Sequence, residues 1–404
     1  MNAPRAGPHC GKEQILLQLG RLSGRVAVLS VAIAATVAGG SWFVLNHDSA
    51  RGSAASHQVS SSQPSPAPAV PLQVVSVTPA RHTRHVNGAA PVTIQFSAPL
   101  AADSPEPDIK PGIPGQWSRP SATQLTFTPA AGFGPHTRVT VRIPGGSDGV
   151  RSAAGGLLAH QVTTRFRTGA WSLVRLDQLL AQLHYLPLTW APAVNETSPE
   201  AAGAAGQRSA AFDPPAGKFT WKHGYPRELR AFWKVGSADS LVVQGAVMAF
   251  ENDHGMTMDG IPGPAVWHAL FRAEAKDQAN KAGYTYAVAT KYSPETLTIW
   301  HNGHIVFHAL ANTGIPAAPT TSGTAPVYLR YRFQIMRGRN PDGSKYADPV
   351  QFVAYFRAGE AVHYFPRASY GFPQSLGCVE LPLDAAAKAW PFLTYGSLVT
   401  VTNP

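Results

Sequence analysis

The stretch "HYFPRASYGFPQSLGCVELP", His363–Pro382, holds one cysteine, Cys378, with a histidine fifteen positions upstream and small residues packed around the thiol. Two readings compete. Cys378 is a nucleophile with His363 as its base, or it is a buried thiol near an unrelated histidine. A thiol attacks a carbonyl as its thiolate, so it needs a base beside it, and it needs N–H donors aimed at the developing oxyanion. Gly377 lets backbone approach a substrate, and the N–H groups of Leu376–Cys378 are expected in a turn ahead of a short helix, "PLDAAAKAWPFL". Every histidine lies upstream of Cys378, and Lys388 is the only cation after it.

The N-terminus sets the compartment. Residues 26–45, "VAVLSVAIAATVAGGSWFVL", form an uncharged run of twenty residues. That is enough for a helix across a hydrocarbon core of ~30 Å. Arg5, Lys12, Arg21 and Arg25 precede it against a single Glu13. The positive-inside bias therefore places residues 1–25 in the cytoplasm and exports the rest, giving a single-pass membrane protein with its bulk outside the bacterial membrane. A cleaved signal peptide is the alternative, though its apolar core is usually only ~7–15 residues. The chain has two cysteines, and the anchor separates Cys10 from Cys378, so the exported side carries one unpaired thiol. The formal charge of +10 suits anionic lipid or wall polymer. No dense Lys/Arg run with interleaved aromatics occurs, which argues against nucleic acid.

Composition divides the remainder. Residues 46–72 are rich in Ser, Ala and Pro and read as a disordered linker. Residues 73–169 contain short alternating runs such as "VTIQFSAPL" and "TRVTVRIPGG" between Pro/Gly turns, the pattern of a β-sandwich. Residues 170–217 begin with helical spacing at Leu173, Leu176, Leu179, Leu180 and Leu183, and 193–217 read as loop. Residues 218–276 predict helices around a Gly-rich turn, the second starting near Pro264. Residues 284–404 return to strands, with a hairpin at Asn302-Gly303 and another at Arg357–Glu360 that sends His363 out on its second strand. The fold class expected is multidomain and mainly β, with one N-terminal transmembrane helix. His301, His304 and His308 crowd one hairpin, but no Asp, Glu or Cys completes a metal set there, so no metal is expected.

Three resemblances follow from these residues. The "FS.P", "FTPA..F.P.T.VTV" and "F.TG" pieces of 73–169 resemble bacterial immunoglobulin-like modules. Asp259, Gly260, Gly263, Pro264, Val266, Ala269 and Leu270 resemble the small three-helix peptidoglycan-binding module. Papain-like and NlpC-like peptidases place Cys before His, and sortases need an Arg after the Cys. What remains resembles the YkuD-type L,D-transpeptidase: His363, a loop with Gly371, then Ser375, Leu376, Gly377 and Cys378, with "LANTG" and "PTTSG" upstream. Leu376 stands where many members have a second His, Glu380 where an Arg is common, and Tyr364 where Gly or Ser is frequent.

The resemblance implies a cysteine acyltransferase of peptidoglycan. Cys378 would be the nucleophile and His363 the proton donor and acceptor. Gly377, Ser375, Tyr370 and Arg367 are candidates for oxyanion or substrate binding. The product would be a 3→3 cross-link between stem peptides. The resemblance also implies carbapenem sensitivity and no cofactor, and the chain is expected to be a monomer. An L,D-carboxypeptidase, or a non-enzymatic wall-binding protein, are the alternatives.

Overall fold

Alternation builds the first domain. The computed structural model describes residues 69–402 apart from 131, 195, 197, 198 and 200–202. The expected anchor at 26–45 and the tail and most of the linker around it lie outside the described residues. Among those described, no helix is long and apolar enough to cross a membrane. Strands β1 (Val74–Thr78), β2 (Val92–Phe96), β3 (Asp108–Lys110), β4 (Gly115–Ser121), β5 (Gln124–Pro129), β6 (Arg138–Ile143) and β7 (Val162–Arg167) form two antiparallel sheets, ordered β1-β2-β5-β4 and β3-β6-β7. Val92, Ile94 and Phe96 of β2 and Val139, Val141 and Ile143 of β6 are buried at every second position, so the two inner faces make one core.

The middle of the chain departs from its expected division. It contains α1 (Leu173–Gln182), β8 (Leu188–Pro192), α2 (Gly203–Phe212), β9 (Gly217–Trp221), α3 (Leu241–Asp253) and α4 (Pro264–Ala275). The segment 193–217, expected as loop, carries α2 and the start of β9. Its alanines have the highest helix propensity of any residue, and packing supplies the rest. Ala211 is buried in the same cluster as Leu176, Leu180, Val243, Phe250 and Leu270. Gln207 of α2 accepts a 2.7 Å hydrogen bond from the fully buried guanidinium of Arg175. Residues 170–217 and 218–276 thus share one core instead of forming a linker and a separate module. Two hydrogen bonds from Asn87 to Ser209 and one from Arg208 to the Ala130 carbonyl dock α2 on the β-sandwich.

The C-terminal region has nine strands and one helix: β10 (Thr285–Thr290), β11 (Thr296–His301), β12 (His304–Leu310), β13 (Gly323–Pro326), β14 (Leu329–Arg339), β15 (Lys345–Arg357), β16 (Glu360–Tyr364), β17 (Val379–Leu381), α5 (Leu383–Ala389) and β18 (Leu398–Val401). One sheet runs β12-β11-β10-β18-β13 and the other β14-β15-β16-β17. Leu297, Ile299, Phe356, Val362, Val379, Leu381 and Val399 fill the space between them, closed by Ala385, Ala386 and Ala389 of α5. The expected turn from Cys378 into a helix is interrupted: β17 comes first and pairs parallel to β16.

The helical core and this domain meet where backbone touches backbone. Gly396 has φ 80°, and a Cβ on it would press on the Gly245 carbonyl oxygen of α3. Left-handed strain and the clash add. Gly396→Ala is expected to lower stability by about 2–4 kcal/mol, read as a fall in the urea midpoint of the full chain. A variant as stable as the parent would mean that the two cores are not fixed to each other here.

Candidate active site

The site is a consequence of strand period and register. On β16, Val362 points into the core, so its neighbours Ala361 and His363 point to the opposite face. On β17, Val379 and Leu381 point into the core, so Cys378 and Glu380 share the outer face. The parallel pairing sets Val362 against Val379 and His363 against Glu380. His363 and Cys378 are therefore diagonal neighbours across two hydrogen-bonded strands. Cys378 rests on Val350, Val353, Tyr355 and Ala361. The long hairpin of β14 and β15 rises beside them. Together they enclose a cleft of about 290 Å³, lined on one side by Met336, Asn340, Tyr346 and Asp348 and on the other by His363, Arg367, Leu376, Cys378 and Glu380.

His363 is buried, and its Nδ1 lies 2.9 Å from the Tyr364 carbonyl oxygen. A carbonyl only accepts, so Nδ1 carries the proton and Nε2 keeps its lone pair. Burial pulls the imidazole pKa below its ordinary value of 6.5, opposed by the Tyr364 carbonyl and the Glu380 charge. The Cys378 thiol is pushed up to about 12. Burial is the main cause, the Ala361 N–H works against it, and the charges of Glu380 and Glu360 add to it. Both shifts favour the neutral thiol and the neutral imidazole over a thiolate–imidazolium pair.

The loop between β16 and β17 is held by side chains that the sequence showed without their partners. Arg367 Nε and Nη2 donate to the two carboxylate oxygens of Glu380 at 2.8 and 2.9 Å. Nη2 also donates to the Gln374 carbonyl at 2.9 Å, and the guanidinium lies 4.7 Å over the Phe365 ring. Glu380, the departure two residues after the cysteine, is thus matched by an arginine from the loop.

Ser375 and Tyr370 do not line the cleft. Ser375 is fully buried; its hydroxyl donates to the Cys378 carbonyl at 2.6 Å and accepts the Gly377 N–H at 3.1 Å. The expected oxyanion donor at Gly377 is therefore already engaged, because the turn around φ 111° directs its N–H back to Ser375. Tyr370 donates to the Phe365 carbonyl at 2.6 Å and accepts the Arg367 N–H at 3.3 Å, which ties the loop to itself.

Behind the loop run residues 311–315, which overlap the "LANTG" stretch. The Thr313 carbonyl accepts from Gln374 and Ser375, both at 2.9 Å, and Asn312 exchanges two backbone bonds with Glu380. Buried Glu295 holds this wall from behind, accepting the N–H and the hydroxyl of Thr313 at 2.6 Å each. Nothing local in the sequence marks Glu295, Asp348 or Tyr346 as part of this site. They lie 83, 30 and 32 positions before Cys378, at distances that only the sheet order spans.

Sequence profiles of known families match two parts of the chain: a bacterial Ig-like domain over residues 68–168 and an L,D-transpeptidase catalytic domain, YkuD, over residues 285–401. No curated protein sequence matches. Among solved structures, an L,D-transpeptidase from Mycobacterium smegmatis is 16% identical, covering 83% of this chain and 100% of its own, with a TM-score of 0.28. L,D-transpeptidase 3 from Mycobacterium tuberculosis gives 16%, 82%, 98% and 0.28 in the same order. The catalytic domain from the E. faecium L,D-transpeptidase is 21% identical over 30% of this chain and 99% of its own, with a TM-score of 0.27. At such scores the superpositions say nothing about how domains are arranged; the profile match carries the assignment. Residues 285–401 are an L,D-transpeptidase catalytic domain of the YkuD family, a class of cysteine-dependent acyltransferases, and residues 68–168 are a bacterial Ig-like domain.

Proposed function

We propose that the chain cross-links peptidoglycan through a cysteine acyl-enzyme, with Cys378 as nucleophile and His363 as base. The observation that carries this is the shared outer face of β16 and β17, which puts a lone-pair Nε2 and a thiol in one cleft. The Cys378 Sγ attacks the carbonyl of the third residue of a tetrapeptide stem while its proton passes to Nε2. The C–N bond to the terminal D-Ala breaks, and the imidazolium returns the proton to the leaving amine. The side-chain amine of a second stem then attacks the thioester, loses a proton to Nε2, and leaves a 3→3 cross-link and the free thiol. With the Gly377 N–H engaged, the N–H of Cys378 itself is the nearest remaining candidate for the oxyanion.

The same reading places the enzyme outside the membrane. The charge-flanked apolar run at 26–45 supports an anchor, and the helical region at 218–276 supports a contact with peptidoglycan through its resemblance.

Intact-mass measurement of the full chain with a tetrapeptide-stem muropeptide or a carbapenem should show a covalent adduct that disappears in Cys378→Ala. A folded parent protein that takes up no adduct would sink the acyl-enzyme. Dimeric product on adding a second muropeptide marks the transpeptidase, whereas tripeptide alone marks hydrolysis.

The pH dependence has a definite sign. A base with a depressed pKa is competent above that pKa, and Glu380, Arg367 and Asp348 are the charged groups facing it. Single-turnover acylation should rise with a midpoint below 6.5 and then stay level to about pH 9. A rate that climbs tenfold per pH unit through that range would point to attack by free thiolate without His363.

Arg367→Met leaves Glu380 buried and unpaired. A loss of about 2–4 kcal/mol is expected, smaller in the double variant Arg367→Met/Glu380→Gln, and a double-mutant cycle on urea midpoints measures the coupling. Strict additivity would mean that the pair contributes nothing.

A further inference from the structure

The outer face of the sheet β3-β6-β7 in the Ig-like domain carries an arrangement that folding alone does not favour. Arg138 on β6 stands directly opposite Arg167 on β7, and Arg165 stands opposite Thr140. Like charges directly opposed across strands destabilise a sheet. A third segment adds to the charge. Residues 82–86 run along the free edge of β7: the His82 N–H donates to the Arg165 carbonyl at 2.7 Å, and the Arg167 N–H donates to the Thr83 carbonyl at 2.9 Å. This brings Arg84 and His82 to the same place. The result is a cleft of about 280 Å³ lined by His82, Thr83, Arg84, Arg138, Arg165, Phe166 and Arg167.

No carboxylate lines this cleft. Among the described residues, none of its four arginines has an ion pair. Arg167 Nε donates to the His136 carbonyl at 3.1 Å, which holds that guanidinium in place without neutralising it. Acid appears only at the far end of the sheet, where Asp108 stands opposite Arg142 and is paired to Lys110 at 3.8 Å. All four cleft arginines are exposed.

We infer that this cleft is a second binding site, for the phosphodiester groups of an anionic wall polymer. The guanidinium forks of arginine match phosphate oxygens in pairs, and four unpaired forks around one small cleft exceed what a single carboxylate needs. The exposed large hydrophobics of the domain, Val70, Val75 and Leu157, lie outside the cleft. A membrane-inserting surface would carry such residues among its cations. The choice of a wall polymer rests on the proposed extracellular transpeptidase; the arginine cleft does not. Binding here would hold the enzyme against the polymer network while the distant Cys378 cleft works.

The test is binding of the full chain in detergent to immobilised poly(glycerol phosphate), followed by biolayer interferometry across a salt series. The parent should bind, with affinity falling as salt rises, and the variant Arg84→Gln/Arg138→Gln/Arg165→Gln/Arg167→Gln should bind at least about tenfold more weakly at low salt. The variant relieves repulsion, so its thermal midpoint without polymer should equal or exceed that of the parent, and polymer should raise the midpoint of the parent alone. Acylation by soluble muropeptide should be the same in both, which separates failure of this site from failure of the transpeptidase reading. Equal binding by parent and variant overturns the proposal. So does parent binding to phosphatidylglycerol vesicles or duplex DNA but not to the polymer. Should the fourfold variant misfold, Arg138→Thr alone must still weaken binding.

Discussion

The parallel pairing of β16 with β17 is the constraint on which the catalytic face depends. A shift of one residue would turn Cys378 and Glu380 into the core and bring Val379 to the cleft, since successive side chains alternate faces. Register is held from both sides. Val362, Val379 and Leu381 are fully buried against α5 and the opposite sheet, so a slip would expose them. On the edge of β17, Asn312 and Glu380 exchange both backbone hydrogen bonds, which leaves that strand no freedom to slide. The nucleophile sits one residue outside the strand, where the backbone can turn, and its neighbours fix where that turn begins.

A half-buried thiol beside a buried imidazole has an electrostatic consequence. Taking a thiol and an imidazole out of water favours their neutral forms. The site therefore favours a protonated Cys378 and relies on the Tyr364 carbonyl to present Nε2 of His363 to the cleft. Glu380 lies opposite His363 in register and, left alone, would draw the imidazole toward its charged form. Arg367 offsets that pull with a bidentate contact and adds its own opposing charge. One ion pair thus serves both loop geometry and the protonation state of the base.

What the sequence disclosed follows from the range of the interactions. The hairpins at Asn302-Gly303 and Arg357–Glu360, the alternation of β2 and β6, and the start of α4 at Pro264 are local, and they were legible in the letters. The order His363 then Cys378, with no arginine after the cysteine, was enough to separate families, because both are visible along the chain. The segment around α2 was not legible: its composition resembles that of a linker, and its role comes from distant partners, the buried Arg175 that bonds to Gln207, the core around Ala211, and Asn87, which bonds to Ser209. Ser375 was equally ambiguous. A hydroxyl near a nucleophile suits either substrate or turn, and its two short-range bonds assign it to the turn.

Glu380 shows most clearly why single letters mislead. Taken alone, an acid where an arginine is common reverses the charge at the cleft. Arg367 restores a cation thirteen positions earlier and on the other side of the loop, so the pair is nearly neutral and most of the guanidinium's donors are consumed. The polarity of the wall has been exchanged, not lost. Asp348 on the facing strand β15 then remains as a cleft carboxylate with no ion pair among the described residues. The charge balance of the cleft is thus set by residues from β15, the loop and β17 that no local motif contains.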